Sequence, residues 1–286
     1  MLSTNSSPSP SHLSHAAEKF LAQLAHQPAV LVRVASTQGS VPRETGAWMA
    51  VFADAVVGTI GGGQLEHQAI AKARRGLQTP SNASPSAVFP ALERFALGPS
   101  LGQCCGGVMH LRFEAVSASD APALASSLRR SLAPVAVFGA GHVGQALVRV
   151  LAPLPFQINW IDSRGDLLRE TGLAGVTCEH SDPPQAAVAG LAPQSRVLIM
   201  SFSHVEDFDV VAACLRRQRE QADLPFIGLI GSKTKWATFH RRLLARSFTS
   251  EELAQVNCPI GVSGIAGKEP DVIAVAVAAQ LLQTLA

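Results

Sequence analysis

Apolar positions along this chain recur with two periods, and the change between them divides it. Ala29–Ala35 is an apolar, β-branched run of strand length. A polar, glycine-containing loop follows at Ser36–Gly46, then a second apolar run at Ala47–Phe52, a turn at Ala53–Asp54 and a third run at Ala55–Ile60. Helical spacing appears at Ala16–Ala25 and from Gln64 to about Gly76. Thr79–Pro90 is rich in Pro, Ser and Asn and predicts a loop, Leu97–Gly107 is glycine-rich, and Val108–Glu114 predicts a strand. From Val135 onward strands and helices alternate. The strands are Val135–Phe138, Gln157–Asp162, Arg196–Met200 and Phe226–Ile230; the helices are Gln145–Leu151, Asp207–Arg219, Trp236–Arg246 and Pro270–Leu285. Such alternation implies a parallel sheet covered on both faces. The predicted class is α/β: a tail at residues 1–14 read as disordered, an N-terminal α/β domain with glycine-rich loops at 15–116, a linker with some helix in it at 117–133 and a parallel-sheet domain at 134–286.

Composition narrows the function classes. Over 286 residues, 47% are hydrophobic and 15% charged, enough to build large cores in two domains. A net charge of +2 gives no electrostatic case for nucleic acid. The first residues lack a basic and apolar leader, and no apolar stretch reaches membrane-span length without a charge, Pro or Gly. Five cysteines without framework spacing argue against a disulfide scaffold. The expectation is a cytoplasmic protein with reduced thiols and no membrane or nucleic-acid partner.

Two glycine patterns carry candidate chemistry. Gly61, Gly62 and Gly63 join a strand-like run to a helix-like run. A turn of this kind leaves N–H groups at the positive end of the helix, suited to an anion, or it is simply a tight turn. In the second half, Gly139-x-Gly141-x-x-Gly144 follows a strand and opens a helix, and Asp162 ends the next strand. This is the dinucleotide fingerprint in its proper context, which makes the second domain Rossmann-like. Gly139 permits the turn, Gly141 lets a phosphate approach, Gly144 allows close packing, and Asp162 is positioned for a ribose hydroxyl. His142 lies inside the fingerprint; it is a candidate acid or a plain loop histidine. Arg164 is a phosphate donor or a solvated side chain.

The remaining candidates sit in polar loops. Arg43, beside Ser40, offers a planar fork for a phosphate or an electron-rich ring, or is solvated. Glu66 caps its helix or accepts from ring N–H groups of a ligand. Cys104 and Cys105, before Gly106-Gly107, have neither disulfide nor zinc spacing. They are inert small residues or a thiol site for a soft metal or sulfur.

Taken together, the runs Gly39–Ala47, Gly58–Glu66 and Cys105–Gly107 resemble the N-terminal domain of the XdhC/CoxI family. The second half is similar to that family's Rossmann-type domain at Phe138–Gly144, Ile161–Arg164, Gly228–Lys233 and Cys258–Gly261. The resemblance implies a chaperone rather than an enzyme. It would bind the molybdenum cofactor, support its sulfuration with a cysteine desulfurase, and insert it into apo xanthine dehydrogenase. The implied cofactor-binding set is Ser40, Arg43, Gly61, Gly62, Gly63, Glu66, Cys105, Gly106, Gly139, Gly141, His142, Gly144 and Asp162, with Cys105 and Cys104 as contacts to molybdenum or sulfur. A homodimer is expected. The competing readings are an NAD(P)-dependent oxidoreductase using the fingerprint, for which no hydride-transfer set is evident, and a non-catalytic assembly scaffold.

Overall fold

The computed structural model describes residues 11–78, 92–98, 106–168 and 172–285, with backbone alone for residues 11 and 12. The loop at Thr79–Pro90, most of the N-terminal tail, and Cys104 and Cys105 lie outside the described residues. The chain divides into two units, Leu13–Arg130 and the residues from Ser131 onward.

In the first unit, α1 (His15–Leu24), β1 (Ala29–Gln38), β2 (Trp48–Val51), β3 (Val56–Gly58), α2 (Gly63–Leu77), β4 (Glu93–Ala96), β5 (Val108–Val116) and α3 (Ala121–Leu128) follow in order. The strands form an antiparallel sheet of order β3-β2-β1-β5-β4. β1 is apolar at successive positions because both of its faces are covered. Val30, Val32 and Val34 pack with Leu65, Ala69 and Ala73 of α2. Leu31 packs on the other side with Phe20 and Leu24 of α1 and with Leu124 and Leu128. The segment 117–133, read from sequence as a linker with some helix in it, therefore contributes that helix to the core. Leu124 and Leu128 are four residues apart, which puts them on one helical face. β4 escaped the sequence reading because it is a short edge strand of alternating exposure, Glu-Arg-Phe-Ala.

The second unit carries β6 (Ala133–Phe138), α4 (His142–Leu151), β7 (Phe156–Asp162), β8 (Val176–His180), β9 (Arg196–Ile199), α5 (His204–Gln221), β10 (Phe226–Leu229), α6 (Lys233–Leu244), β11 (Val256–Asn257) and α7 (Pro270–Gln283). Its six strands are all parallel, in the order β8-β7-β6-β9-β10-β11. α4 and α7 cover one face through Leu147, Leu151, Val277 and Leu281. α5 and α6 cover the other through Phe208, Leu215, Phe239 and Leu243. The strand order reverses between β6 and β9, and in open sheets of this kind ligands bind at the carboxyl ends around that switch point. Phe138 pairs in register with Ile161 and Ile199, so the residues after all three strands emerge side by side.

Candidate functional site

In the first unit the three glycine-bearing segments meet. Gly61 has φ +123°, and a Cβ there would lie 2.6 Å from the Pro42 ring and 3.4 Å from Cγ of Arg43. A side chain at Gly107 would run into the carbonyl oxygens of Ser40 and Gln38, and one at Gly39 would meet Cα of Gly107 at 3.3 Å. Glycine is thus required for close approach, and the Ser36–Gly46 loop is seated between the Gly61 turn and Gly106–Gly107. Gly62 and Gly106, by contrast, have no atom of the described residues within 4 Å of an added Cβ. These two backbone positions are open to an incoming group.

Glu66 changes the meaning of the glycine turn. Its Oε2 accepts from Ile60 N–H at 3.0 Å, Gly62 N–H at 3.2 Å and Thr59 Oγ1 at 2.5 Å, while Gly61 N–H donates to Thr59 Oγ1 at 3.1 Å. The expectation of N–H groups free for an anion at Gly61 and Gly62 is corrected: the Glu66 carboxylate on the first turn of α2 already takes the Gly62 N–H, and the Thr59 hydroxyl takes that of Gly61. A charge-assisted cap of this kind suits a helix whose N-cap, Gly62, has no side chain to offer. Among the described residues Arg43 pairs with the exposed neighbouring carboxylate of Glu44, at 3.3 Å, so its fork stays near the surface.

In the second unit the fingerprint loop is built as the glycine spacing implies. Side chains at Gly139 and Gly144 would collide with the carbonyl oxygens of Met200 and Gly139 respectively, whereas Gly141 is open. Trp160 Nε1 donates to the Gly139 carbonyl at 3.0 Å and fixes the loop. Helix α4 starts at His142 with no side-chain cap, and His142 is exposed. Ser201 Oγ, at the end of β9, is buried with no hydrogen-bond partner among the described residues.

Asp162 is 3% exposed and already engaged. Its Oδ2 accepts from Ala140 N–H at 2.5 Å, and Arg164 donates from Nε to Oδ1 and from Nη2 to Oδ2, both at 2.9 Å. Burial alone would push the carboxyl up, but the Arg164 fork, then the Ala140 and Arg164 N–H groups, outweigh it and hold the acid below its ordinary value. The guanidinium in turn stacks 4.3 Å from the ring of Phe202, which is 67% exposed. The sequence reading left Arg164 open between phosphate and solvent; the structure makes it the partner of Asp162. The reading missed a second buried pair, Lys235 Nζ to Asp207 Oδ2 at 2.5 Å, with the same ammonium donating to the Ile230 carbonyl. An acid in the first turn of a helix after a strand end was the available signal, and a capping role explains it equally well in sequence.

Two of the three described thiols, Cys214 and Cys258, are quiet. Burial pushes the Cys214 thiol to about 12. Burial also raises Cys258, with the nearby Lys235 charge opposing it. Both stay protonated and poorly nucleophilic.

The sequence model of the XdhC Rossmann domain matches residues 135–281, and that of the XdhC and CoxI family matches residues 22–83. The chain belongs to the XdhC family. The division of the matches follows the two units, with the XdhC Rossmann domain on the parallel sheet. An Escherichia coli relative, the uncharacterized protein YqeB, is 27% identical over 258 residues, covering 90% of this chain but 43% of that protein. The chain thus spans less than half the length of this curated relative. A crystal structure of a Bacillus halodurans protein named a xanthine dehydrogenase (BH1974) superposes with a TM-score of 0.74 at 20% identity, covering 94% of this chain and 95% of that one. That likeness establishes a shared fold for an XdhC chain at low identity.

Proposed function

We propose that this chain is a molybdenum-cofactor chaperone. It binds the cofactor, supports its sulfuration with a cysteine desulfurase and hands it to apo xanthine dehydrogenase in the cytoplasm, as a homodimer. Membership of the XdhC family supports a role in xanthine dehydrogenase maturation. The observation that carries the reading is the convergence of the Ser40–Arg43 loop, the Gly61–Gly63 turn and Gly106–Gly107 in the first unit. Three separate stretches give up side-chain volume to meet there, and Gly62 and Gly106 are left open among the described residues, in a cluster that also carries Arg43.

The residues present fit such a group in two respects. Gly62 and Gly106 admit an atom against the backbone, and Arg43, whose Cγ lies by Gly61 in the same loop cluster, supplies a guanidinium for an electron-rich ring or oxyanion. Cys105 immediately precedes Gly106 in sequence and supplies a thiol that Cys214 and Cys258 cannot. In the second unit, open Gly141 and the uncapped start of α4 offer N–H donors to a phosphate. When bound, the cofactor supplies the metal centre that the client enzyme uses; the chain's own part is to hold, shield and release it. An oxidoreductase reading is weaker, because the acid a ribose diol needs is already spent on Arg164 and Ala140.

The test is reconstitution. Protein loaded under anaerobic conditions should activate apo xanthine dehydrogenase, and a Cys105→Ala variant should bind or transfer less. Failure of the loaded wild-type chain to activate the apoenzyme contradicts the proposal.

A further inference from the structure

Two of the motif segments have no part in the site above: Gly228–Lys233 and Cys258–Gly261. They come together at the carboxyl ends of β10 and β11, where they form a cleft of about 450 Å³ with the loop that leads into α7. We propose that this cleft binds a neutral, planar fused-ring heterocycle of pterin or purine type. The volume lies within the range of small-molecule sites.

The walls define the ligand. Ile230, Ile260 and Ile273 give apolar faces, and Ile265, 46% exposed, stands at the mouth. The polar groups come from the backbone of Gly231, Gly261 and Gly264 and from Ser263; among the described residues no charged side chain lines the cleft, so none offers a phosphate a cation there. The nearby Lys235 is committed to Asp207 and to the Ile230 carbonyl. Flat apolar walls with amide edges suit a ring that stacks on its faces and hydrogen-bonds around its rim.

The site is also held in shape. A Cβ on Gly228 would come within 2.6 Å of Cγ2 of Ile260, so glycine in β10 lets that isoleucine lie over the strand. Gly261, at φ +106°, donates to Gln280 Oε1 at 2.7 Å, and Val262 N–H bonds the Ala276 carbonyl at 3.1 Å. Both tie the loop to α7. The pterin form of this assignment rests on the cofactor reading above; the purine form does not.

Fluorescence titration of the full chain with free pterin and, separately, with hypoxanthine tests it, with inorganic phosphate as competitor. Saturable binding of either ring is expected, unaffected by phosphate. It should weaken at least tenfold in Ser263→Trp, which fills the cleft, and in Ile265→Glu, which charges its mouth, with melting temperatures unchanged. Preference for pterin identifies the cofactor's ring, and preference for hypoxanthine a nucleobase. No saturable binding of either ring, displacement by phosphate, or full binding in both variants overturns the proposal. Molybdenum-cofactor content separates the two readings. If wild type carries none while pterin still binds the cleft, the cofactor reading alone fails. If Ser263→Trp carries as much as wild type, the pterin assignment alone fails.

Discussion

Arg164 grips Asp162 from two residues away, donating from Nε and Nη2 to the two carboxylate oxygens at 2.9 Å each. With Ala140 N–H on Oδ2 as well, the acid at the end of β7 is a structural tie between the fingerprint loop and the next strand. A ribose diol would have to displace a bidentate, charge-assisted pair. Calorimetry with NAD and NADH is therefore expected to show dissociation constants weaker than about 1 mM, an affinity of about 4 kcal/mol or less. Micromolar binding would contradict this.

The same pair sets a pH dependence. The folded-state pKa of Asp162 is lowered, so its contribution is fully present above the unfolded value of about 3.9 and is lost as pH falls through the folded value. Denaturant midpoints should be flat in this respect near neutrality and fall below about pH 4, and Asp162→Asn should flatten that acid limb. Arg164→Met leaves a nearly buried carboxylate without its cation. Because the guanidinium is 29% exposed, the loss should be about 2–3 kcal/mol, below the 3–5 of a fully buried pair.

In the first unit, Glu66 and the glycines separate backbone strain from contact. Glu66→Ala removes the acceptor of two N–H groups and one hydroxyl, and should cost about 1–3 kcal/mol in chemical denaturation. Gly61→Ala meets both a positive φ and the Pro42 ring, whereas Gly62→Ala meets open space but keeps φ +77° and ψ −168°, a region that glycine nearly monopolises. Both should destabilise by about 1–3 kcal/mol, Gly61→Ala more.

Lys235→Met should be the costlier change in the second unit. It strands Asp207, which is 2% exposed, and a loss of about 3–5 kcal/mol is expected in urea unfolding. A loss below about 1 kcal/mol would show that Asp207 keeps enough from Ser201 N–H, at 2.7 Å, to do without the ammonium.

Much of this was legible in the sequence because its signals are local. The strand, glycine loop and helix at 133–151 announce themselves by period and spacing, and the open Gly141 and packed Gly139 and Gly144 follow from where each lies in the turn. The convergence of Ser40, Gly61 and Gly107 was legible only as three separate motifs, since the contacts span up to 69 positions and no periodicity encodes them. Glu66 was legible as a cap but not as the acceptor that fills the glycine turn. The Asp162–Arg164 fork was hidden by its own simplicity: an acid and a base two apart at a strand end fit a ligand site and an internal pair equally well. Helix α3 was legible only as some helix within a linker; that Leu124 and Leu128 build it into the core was not, in a stretch so rich in Ser and Pro.

The thiols separate by environment. Cys214→Ser and Cys258→Ser should leave the sulfurated fraction of the bound cofactor unchanged within error, because burial holds both thiols protonated. Cys105→Ala should lower the sulfurated fraction of the bound cofactor severalfold. Equal sulfuration in Cys105→Ala would remove the thiol from the account while leaving binding intact.

The central claim is tested most directly by molybdenum and pterin analysis of the full chain, purified anaerobically from a cofactor-producing host and from a cofactor-deficient one. About one molybdenum and one pterin per chain or per dimer is expected from the first host and neither from the second. No molybdenum or pterin from either host would contradict the account.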